Sequence, residues 1–395
     1  MSEAFPDLSG RTILQVIPDL DAGGAERTVI EVAEALGVAG ARAFVASRGG
    51  RMARDLEAAG GTLIEMNVAT KNPIGMRGNA ARLSALIREH AVDVIHARSR
   101  APAWSALFAA RKTAIPFVTT YHGAYSARTA PKRFYNRVMA RGDRVIANSE
   151  WTANHVRSEH NVADGRLITI PRGVDVDAFD PATVTADAIA SVRAEWSVLP
   201  DAREVILLLA GRLTRWKGQL AAITAFAALD DRIKQMARLV IIGDAQGRDA
   251  YVAELHRAID DGQIQDRVHI LRHTEDMPSA YAAADIIIAP SLRPEAFGRT
   301  AAEAAAIARP VIGIAHGGAL ETVVDGVTGR LVPVPQSDHD LKGLTSAMAE
   351  LLQASPEQRA AMGAAGRAHI LERFTKRGLQ AATLTVYAEL LNARS

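Results

Sequence analysis

Short runs of apolar, mostly β-branched residues recur along the first half of the chain, and helical periodicity follows most of them. The runs lack alternation of polar and apolar positions, which is typical of strands covered on both faces. The predicted strands are Thr12–Ile17, Ala43–Ala46, Thr62–Met66, Val92–His96, Phe117–Tyr121, Arg144–Ala147 and Leu167–Ile170. Helices such as Glu26–Leu36 and Met76–Glu89 are predicted between them. This alternation predicts a parallel sheet with helices on both faces.

The same pattern starts again after Pro200, so a second α/β domain is predicted. Its strands are Val205–Leu209, Leu239–Ile242, Val268–Leu271, Ile286–Ala289 and Val311–Ile314. Its helices include Gln219–Ala228, Ala250–Ile259, Thr300–Ile307, Leu341–Leu352 and one that starts at Ser355-Pro356-Glu357. Weak periodicity over Asp177–Ala202 places the linker there, between domains at residues 1–180 and 190–375. Two doubly wound domains are expected to leave a cleft between their strand carboxyl ends, where ligands bind.

Length and composition agree with two globular domains. The chain has 395 residues, of which 48% are hydrophobic and 23% charged, and this excludes a disordered chain, a fibre or a coiled coil. It has no cysteine, which excludes disulfides, thiolate zinc sites and a cysteine nucleophile. The first residues do not resemble a signal peptide, and no apolar run is long enough to span a bilayer. A cytoplasmic location is therefore expected.

The net charge of +2 hides a basic stretch without Asp or Glu, from Val94 to Gly142. Its cations include Arg98, Arg100, Arg128, Lys132, Arg133 and Arg137, which are candidates for contact with an acceptor or a membrane. Apolar residues interleaved with the later cations predict a basic amphipathic surface that could lie on an anionic membrane. A solvated basic face, or one that binds an anionic acceptor, explains the pattern equally well. Nucleic acid is not an expected partner, because no binding motif is present.

Loops after three predicted strands carry glycines and charged residues. Gly23 and Gly24 would let the backbone approach an anionic ligand at a helix start, although a plain glycine turn fits equally well. His122 could position a sugar hydroxyl, transfer a proton or be purely structural. Arg212 and Lys217 suit a diphosphate, the alternative being a solvated basic turn.

The most informative loop runs from Pro294 to Glu303 and leads into a predicted helix. Glu295 on the loop and Glu303 on the first helical turn could both face the cleft, beside amides that can bind a phosphate. Two carboxylates beside a phosphate site suggest a nucleotide sugar, the alternatives being a helix-dipole role for Glu303 and a surface position for Glu295. The Asp-x-Asp pairs at residues 19–21 and 175–177 are interpreted as turn and cap residues rather than metal ligands.

Taken in order, these motifs resemble glycosyltransferase family four, whose GT-B fold has two facing Rossmann-like domains. The resemblance rests on Gly23-Gly24-Ala25-Glu26-Arg27, His122-Gly123, Ile170-Pro171-Arg172-Gly173-Val174-Asp175, Gly211-Arg212-Leu213, Lys217-Gly218, Glu295-x7-Glu303 and Gly317-Gly318. The stretches His96–Trp104 and Glu295–Arg299 are similar to those of a proteobacterial group with lipopolysaccharide-core and other envelope glycosyltransferases.

The resemblance implies a retaining, metal-independent and cofactor-free hexose transfer from a UDP- or GDP-linked sugar to an envelope glycolipid or lipopolysaccharide-type acceptor. Glu303 would hold the ribose and Glu295 the transferred sugar, while Arg212 and Lys217 would neutralise the leaving diphosphate. The further roles implied are donor contact for Phe297, Gly298, Arg299 and Thr300, phosphate proximity for Gly23 and Gly24, and a place near sugar and acceptor for His122. A last helix near residues 376–395, with Leu379–Leu391 as its candidate, would return to the first domain.

Other functions stay open at this point. A glycoside hydrolase also uses two carboxylates, but it would not need two cations and three glycine loops. A nucleotide-sugar epimerase or a phosphorylase could share the architecture, and a binding module without catalysis would show affinity but no turnover.

Overall fold

The computed structural model describes residues 4–21, 23–125, 129–163, 165–198, 204–337 and 340–394. The chain folds as two units. Unit 1 comprises Met1–Gly173 and Lys376–Ser395, and unit 2 comprises Val174–Thr375. The first boundary therefore lies a few residues before the expected one, and the chain returns to unit 1 at its last helix.

Unit 1 contains a seven-stranded parallel sheet in the order β3-β2-β1-β4-β5-β6-β7. The strands are β1 (Thr12–Val16), β2 (Arg42–Ser47), β3 (Thr62–Glu65), β4 (Val94–Ala97), β5 (Phe117–Tyr121), β6 (Arg144–Ala147) and β7 (Leu167–Thr169). Every residue of β1, β4 and β5 is buried, which explains why the central runs show no polar alternation. The prediction of a parallel sheet is confirmed.

Helices cover both faces of this sheet. They are α1 (Gly24–Val38), α2 (Ala53–Ala58), α3 (Pro73–Glu89), α4 (Arg100–Thr113), α5 (Ala130–Asn136), a 3-10 helix (Arg137–Arg141) and α6 (Glu150–Glu159). The last helix of the chain, Lys376–Asn392, packs against α1, where Gln380 Nε2 donates to the Glu31 carbonyl over 2.7 Å. Its Tyr387 hydroxyl lies 2.6 Å from His96 Nδ1, so this helix also contacts the centre of the sheet.

Unit 2 contains a six-stranded parallel sheet in the order β10-β9-β8-β11-β12-β13. The strands are β8 (Val205–Ala210), β9 (Ala237–Ile242), β10 (Val268–Leu271), β11 (Ile286–Ala289), β12 (Val311–Ile314) and β13 (Gly329–Val332). The sequence pattern did not predict β13, an edge strand that begins with glycine and contains arginine. A Cβ at Gly329 would lie 2.0 Å from the Val311 carbonyl oxygen, so pairing with β12 requires glycine at this position.

The helices of unit 2 include one inside the expected linker. They are α7 (Ala186–Glu195), a 3-10 helix (Arg215–Lys217), α8 (Gln219–Ala227), α9 (Asp231–Gln235), α10 (Asp249–Asp261), α11 (Met277–Ala283), α12 (Arg299–Ala306), α13 (Ala319–Thr322), α14 (Lys342–Gln353) and α15 (Pro356–Arg373). Helix α7 packs on α11 through residues that include Ile189 and Val192, so much of the expected linker belongs to unit 2. The predicted start of α15 is confirmed by a capping box between Ser355 and Gln358.

One ionic cluster ties together the amino ends of three strands in unit 2. Glu204, just before β8, forms ion pairs with Arg238 of β9 at 2.9 Å and with Arg267, just before β10, at 2.5 Å. The Glu204 and Arg238 side chains are 18% and 10% exposed. The cluster thus links three strands at their amino ends, whereas ligands bind at the carboxyl ends of parallel strands, so we assign it a structural role.

Candidate active site

The loop after β11 brings Glu295 next to a cation from the loop after β8. Lys217 Nζ donates to Glu295 Oε1 over 2.9 Å, and Ser291 Oγ donates to the same oxygen. Lys217 and Glu295 are 15% and 22% exposed, so the pair is largely withdrawn from water. Two residues far apart in the sequence thus form one charged pair at the carboxyl edge of the sheet. Sequence reasoning missed Ser291, which is signalled only by its place just after a buried strand.

Glu303 lies in the first turns of α12, and Gly298, in a left-handed conformation, caps the start of this helix. Its carboxylate accepts from Arg299 Nε over 2.6 Å and from the Tyr281 hydroxyl over 3.3 Å. Glu303 is 13% exposed and Arg299 is 41% exposed. Burial and the Glu303 charge hold the pKa of Tyr281 well above its usual value, so this hydroxyl stays a donor. The second predicted carboxylate therefore also lies beside a cation.

Three other predicted donor residues take different positions. The Phe297 ring is 2% exposed and packs edge-to-face against Phe374, so its side chain belongs to the core and not to a ligand surface. Thr300 Oγ1 donates to the Ala210 carbonyl at the end of β8. The Arg212 side chain is exposed and forms no ion pair with any other residue in the described part of the chain. Of Phe297, only the backbone remains a candidate for ligand contact, whereas the Arg212 side chain is accessible to a ligand.

Glycines pack the loops of unit 2 closely against each other. A Cβ at Gly218 would lie 2.2 Å from the Pro290 carbonyl oxygen, and one at Gly317 would lie 2.4 Å from the Glu295 carbonyl oxygen. Gly318 N donates to the Glu295 carbonyl over 2.8 Å. The loops after β8 and β12 therefore hold the Glu295 segment from both sides.

Unit 1 places Gly24 and His122 around an arginine that sequence reasoning gave no role. Arg172 Nη2 lies 3.1 Å from His122 Nδ1, and a Cβ at Gly24 would lie 2.2 Å from Arg172 Nη1. Gly23 has a φ of +149°, and a Cβ there would lie 2.5 Å from the Glu26 carboxylate. Burial raises the pKa of Glu26, and the Arg172 charge partly offsets this. These glycines leave room for side chains of unit 1 itself. Arg172 belongs to the motif Ile170–Asp175, but nothing in the pattern of charged residues indicated that its side chain would contact His122.

The basic stretch divides into buried and exposed residues. Arg98 is 2% exposed and donates to Gln15 Oε1, so it does not lie on the exposed basic surface that was expected to contact a membrane. Arg100 also points inward, since it donates to Asn136 and stacks 4.1 Å above the Tyr125 ring. The burial of Arg98 and the inward position of the half-buried Arg100 are explained by polar and aromatic partners far away in the sequence. Arg128 lies outside the described residues.

Exposed members of this stretch line an open groove of about 1070 Å³ in unit 1. Phe108 and Phe134, 46% and 59% exposed, lie in it, with ring centroids 5.8 and 5.4 Å from the Trp104 ring. The arginines of the groove are Arg111, Arg133, Arg137, Arg141, Arg144 and Arg166. Lys132 is exposed on the neighbouring turn of α5. The groove lies near the amino ends of β6 and β7, away from the His122 edge of the sheet.

The described residues contain neither a cluster of metal-ligating side chains nor a membrane-spanning helix. No three His, Asp or Glu side chains among them come together as a possible metal site. Asp19, of the first Asp-x-Asp pair, accepts two hydrogen bonds from Arg48. No helix in the described ranges has the length and apolar character needed to cross a bilayer.

Comparison with known proteins matches each unit to a family model. "Glycosyltransferase Family 4" matches residues 22–178, and "Glycosyl transferases group 1" matches residues 193–369. A GDP-mannose-dependent alpha-(1-6)-phosphatidylinositol monomannoside mannosyltransferase of Mycolicibacterium smegmatis is 32% identical over 80% of each chain. A crystal structure of a glycosyltransferase from Rickettsia africae matches with a TM-score of 0.87 and 32% identity, over 96% of this chain and 98% of that one. The structure of WaaG, a glycosyltransferase involved in lipopolysaccharide biosynthesis, shares the fold, with a TM-score of 0.71 and 16% identity over 95% and 99% of the chains.

Proposed function

Since the chain belongs to the family 4 glycosyltransferases and has their GT-B fold, we propose that it transfers a hexose with retention and without a metal ion. The donor is a UDP- or GDP-linked sugar, and the acceptor is a lipid-linked or anionic glycan of the cell envelope. The observation that carries this proposal is the pair of carboxylates in unit 2, Glu295 and Glu303, each held beside a cation. The named mannosyltransferase relative, which uses GDP-mannose and a phosphatidylinositol mannoside, supports these classes of donor and acceptor.

The paired charges suit a ligand that carries both hydroxyls and phosphates. Carboxylates accept hydrogen bonds from sugar hydroxyls, so Glu295 would hold the hexose and Glu303 the ribose. Lys217 and the exposed Arg212 would then face the diphosphate, whose negative charge grows as it leaves. Lys217 and Glu295 form an ion pair with each other. On donor binding, Lys217 would contact the diphosphate and Glu295 the hexose instead.

The proposed reaction forms one glycosidic bond and breaks one. The bond between the anomeric carbon and the diphosphate oxygen breaks, and the acceptor oxygen bonds to the same face of that carbon. The acceptor proton passes to the departing phosphate oxygen. Fixed cations stabilise the developing charge without reorganising, which is where the protein contributes most.

Thermal-shift screening against a panel of nucleotide sugars tests the donor class. We expect one nucleotide sugar to raise the melting temperature, followed by transfer or slow hydrolysis of that donor. NMR of the product should show the anomeric configuration of the donor. Turnover should persist in excess EDTA, because protein cations neutralise the diphosphate. A requirement for Mg²⁺ or Mn²⁺, or an inverted product, would contradict the corresponding part of the proposal.

We also propose that the groove of unit 1 rests on the anionic inner face of the cytoplasmic membrane, where a lipid-linked acceptor would lie. Two exposed phenylalanines among arginines are typical of an interfacial surface, with apolar rings in the boundary region and cations at the phosphates. Each arginine near an anionic surface contributes about 1 kcal/mol of binding.

Liposome flotation tests this contact. Arg133→Gln with Arg137→Gln should weaken binding to anionic vesicles by about 30-fold, and high salt should do the same. Arg257→Gln with Arg272→Gln removes two exposed charges from unit 2 and should change binding much less. If the wild-type protein does not bind anionic vesicles at low salt, the membrane part of the proposal fails. A glycan acceptor alone would then be the anionic partner.

A further inference from the structure

The hydrogen bond between Arg172 and His122 fixes which ring nitrogen carries a proton. A guanidinium can only donate, so His122 Nδ1, 3.1 Å from Arg172 Nη2, must accept. A neutral imidazole has one N–H group. The proton of neutral His122 therefore lies on Nε2.

The surroundings keep the ring neutral. Burial lowers the pKa of His122 well below its usual value, and the charges of Arg172 and Arg98 lower it further. His96, on the neighbouring strand β4, is also buried, which lowers its pKa, so neither histidine is expected to be charged. A second proton on His122 would have to sit on Nδ1, pointing at the donor group of Arg172.

The position of Arg172 is built into the glycine loop at the start of α1. A Cβ at Gly24 would lie 2.2 Å from Arg172 Nη1, so a side chain at this position would displace the guanidinium from His122. The Glu26 carboxylate, in the first turn of the same helix, attracts the Arg172 charge. This loop thus holds the guanidinium that in turn orients His122.

Nε2 of His122 is buried and has no hydrogen-bond partner in the described part of the chain. A buried donor without an acceptor costs about 1–3 kcal/mol, so a ligand oxygen that accepts from it gains binding energy. An imidazole with its proton on Nε2 and its other nitrogen bonded to arginine has no lone pair left to act as a base.

We propose that Arg172 is a positioning residue that holds His122 as a neutral Nε2–H donor to an oxygen of the bound substrate. His122 then orients a sugar hydroxyl or a phosphoryl oxygen and does not act as a general base. The substrate class rests on the proposed function, whereas the protonation state of the ring does not depend on it.

NMR of the full-length protein with ¹⁵N-labelled histidine tests the protonation state directly. The His122 signals are identified by their loss in His122→Gln. We expect one neutral Nε2–H form throughout the range of about pH 6 to 8. Arg172→Met should produce a mixture of tautomers and raise the pKa of His122, whereas Arg172→Lys, which keeps a donor and a charge, should largely retain the wild-type form. A wild-type Nδ1–H tautomer or an imidazolium in this range would overturn the proposal, even if Arg172→Met does not fold.

Kinetics then separate positioning from base catalysis. Glutamine places its amide nitrogen near the position of Nε2 and asparagine near that of Nδ1, so His122→Gln should keep more activity than His122→Asn. Arg172→Met should lower kcat/KM by about 10-fold, with no ionisation of His122 visible in the wild-type pH profile. Equal losses in the two His122 variants, or a wild-type profile that follows a histidine, would count against the role. If the wild-type protein turns over no nucleotide sugar at all, the proposed function fails while the NMR result still stands.

Discussion

The ion pair between Lys217 and Glu295 offers the sharpest test of the site in unit 2. Lys217→Met keeps most of the side-chain length and removes the charge. It leaves Glu295, 22% exposed, with the Ser291 hydroxyl as its remaining side-chain donor in the described residues. The variant therefore perturbs both folding and catalysis, and the structure predicts different sizes for the two effects.

The loss of stability should be modest. Removing a charged hydrogen-bond donor from a largely buried carboxylate costs about 1–2 kcal/mol when another donor remains. For a domain of about 200 residues this lowers Tm by about 2–8 °C. The loss of turnover should be larger. A fixed charge that stabilises a leaving group contributes about 10²–10³ in rate, so kcat should fall by that factor well below Tm.

A second variant separates these effects. Lys217→Met with Glu295→Gln removes the unpaired carboxylate, so Tm should return towards the wild-type value while kcat stays low. Lys234→Met removes an ion pair with Asp231, which is 87% exposed, and a hydrogen bond to the Ala227 carbonyl; as the control it should lower Tm less than Lys217→Met and leave kcat unchanged. The assays are differential scanning calorimetry and initial rates at saturating donor. Normal turnover in Lys217→Met, or recovery of turnover together with Tm in the double variant, would refute the reasoning.

Three further predictions address other parts of unit 2. Burial raises the pKa of Glu204, but its two arginines lower it more, so that the net pKa lies below its usual value. Glu204→Gln should thus cost about 1–3 kcal/mol at neutral pH in urea unfolding, and less as pH falls through that lowered pKa. Gly317→Ala should abolish turnover by displacing the Glu295 loop, whereas Gly326→Ala, with the same left-handed backbone but only an ordinary contact with the end of the Arg330 side chain, should only lower Tm. Glu303→Gln should weaken donor binding about 10–100-fold in calorimetry, unlike Glu350→Gln on the surface.

The strands were predictable because burial on both faces leaves a local signal, whatever the rest of the fold does. Phe117–Tyr121 and Val311–Ile314 have the predicted bounds in the structure. Strand β13 was not predictable, because Gly329 and Arg330 carry little β propensity. Gly329 is needed because the β12 backbone lies next to it, and this contact between strands cannot be predicted from local sequence.

For charged residues, the sequence pattern predicted positions better than contacts. The loop positions of Glu295 and Lys217 followed from strand ends, but their pairing depends on two strands that lie side by side in the sheet. Arg98 resembled its exposed basic neighbours in every local respect. It is buried because Gln15, on the adjacent strand β1, and Thr120, on strand β5, present side-chain oxygens to it. Sequence pattern locates charged loops well, whereas the partner that decides exposure comes from the fold.

The structure gives the glycines of the site a role different from the one that the sequence suggested. As sequence features they suggested that backbone approaches ligand, yet at Gly24, Gly218 and Gly317 the space of a Cβ is filled by this chain's own atoms. Two of these three contacts involve a residue of the candidate site, Arg172 at Gly24 and Glu295 at Gly317. Charges that must be in place before the transition state forms are most effective when they cannot move, because reorganisation then costs nothing. The glycine loops are therefore best understood as the packing that fixes the charges, and substitutions there should impair catalysis through the position of a carboxylate or a guanidinium.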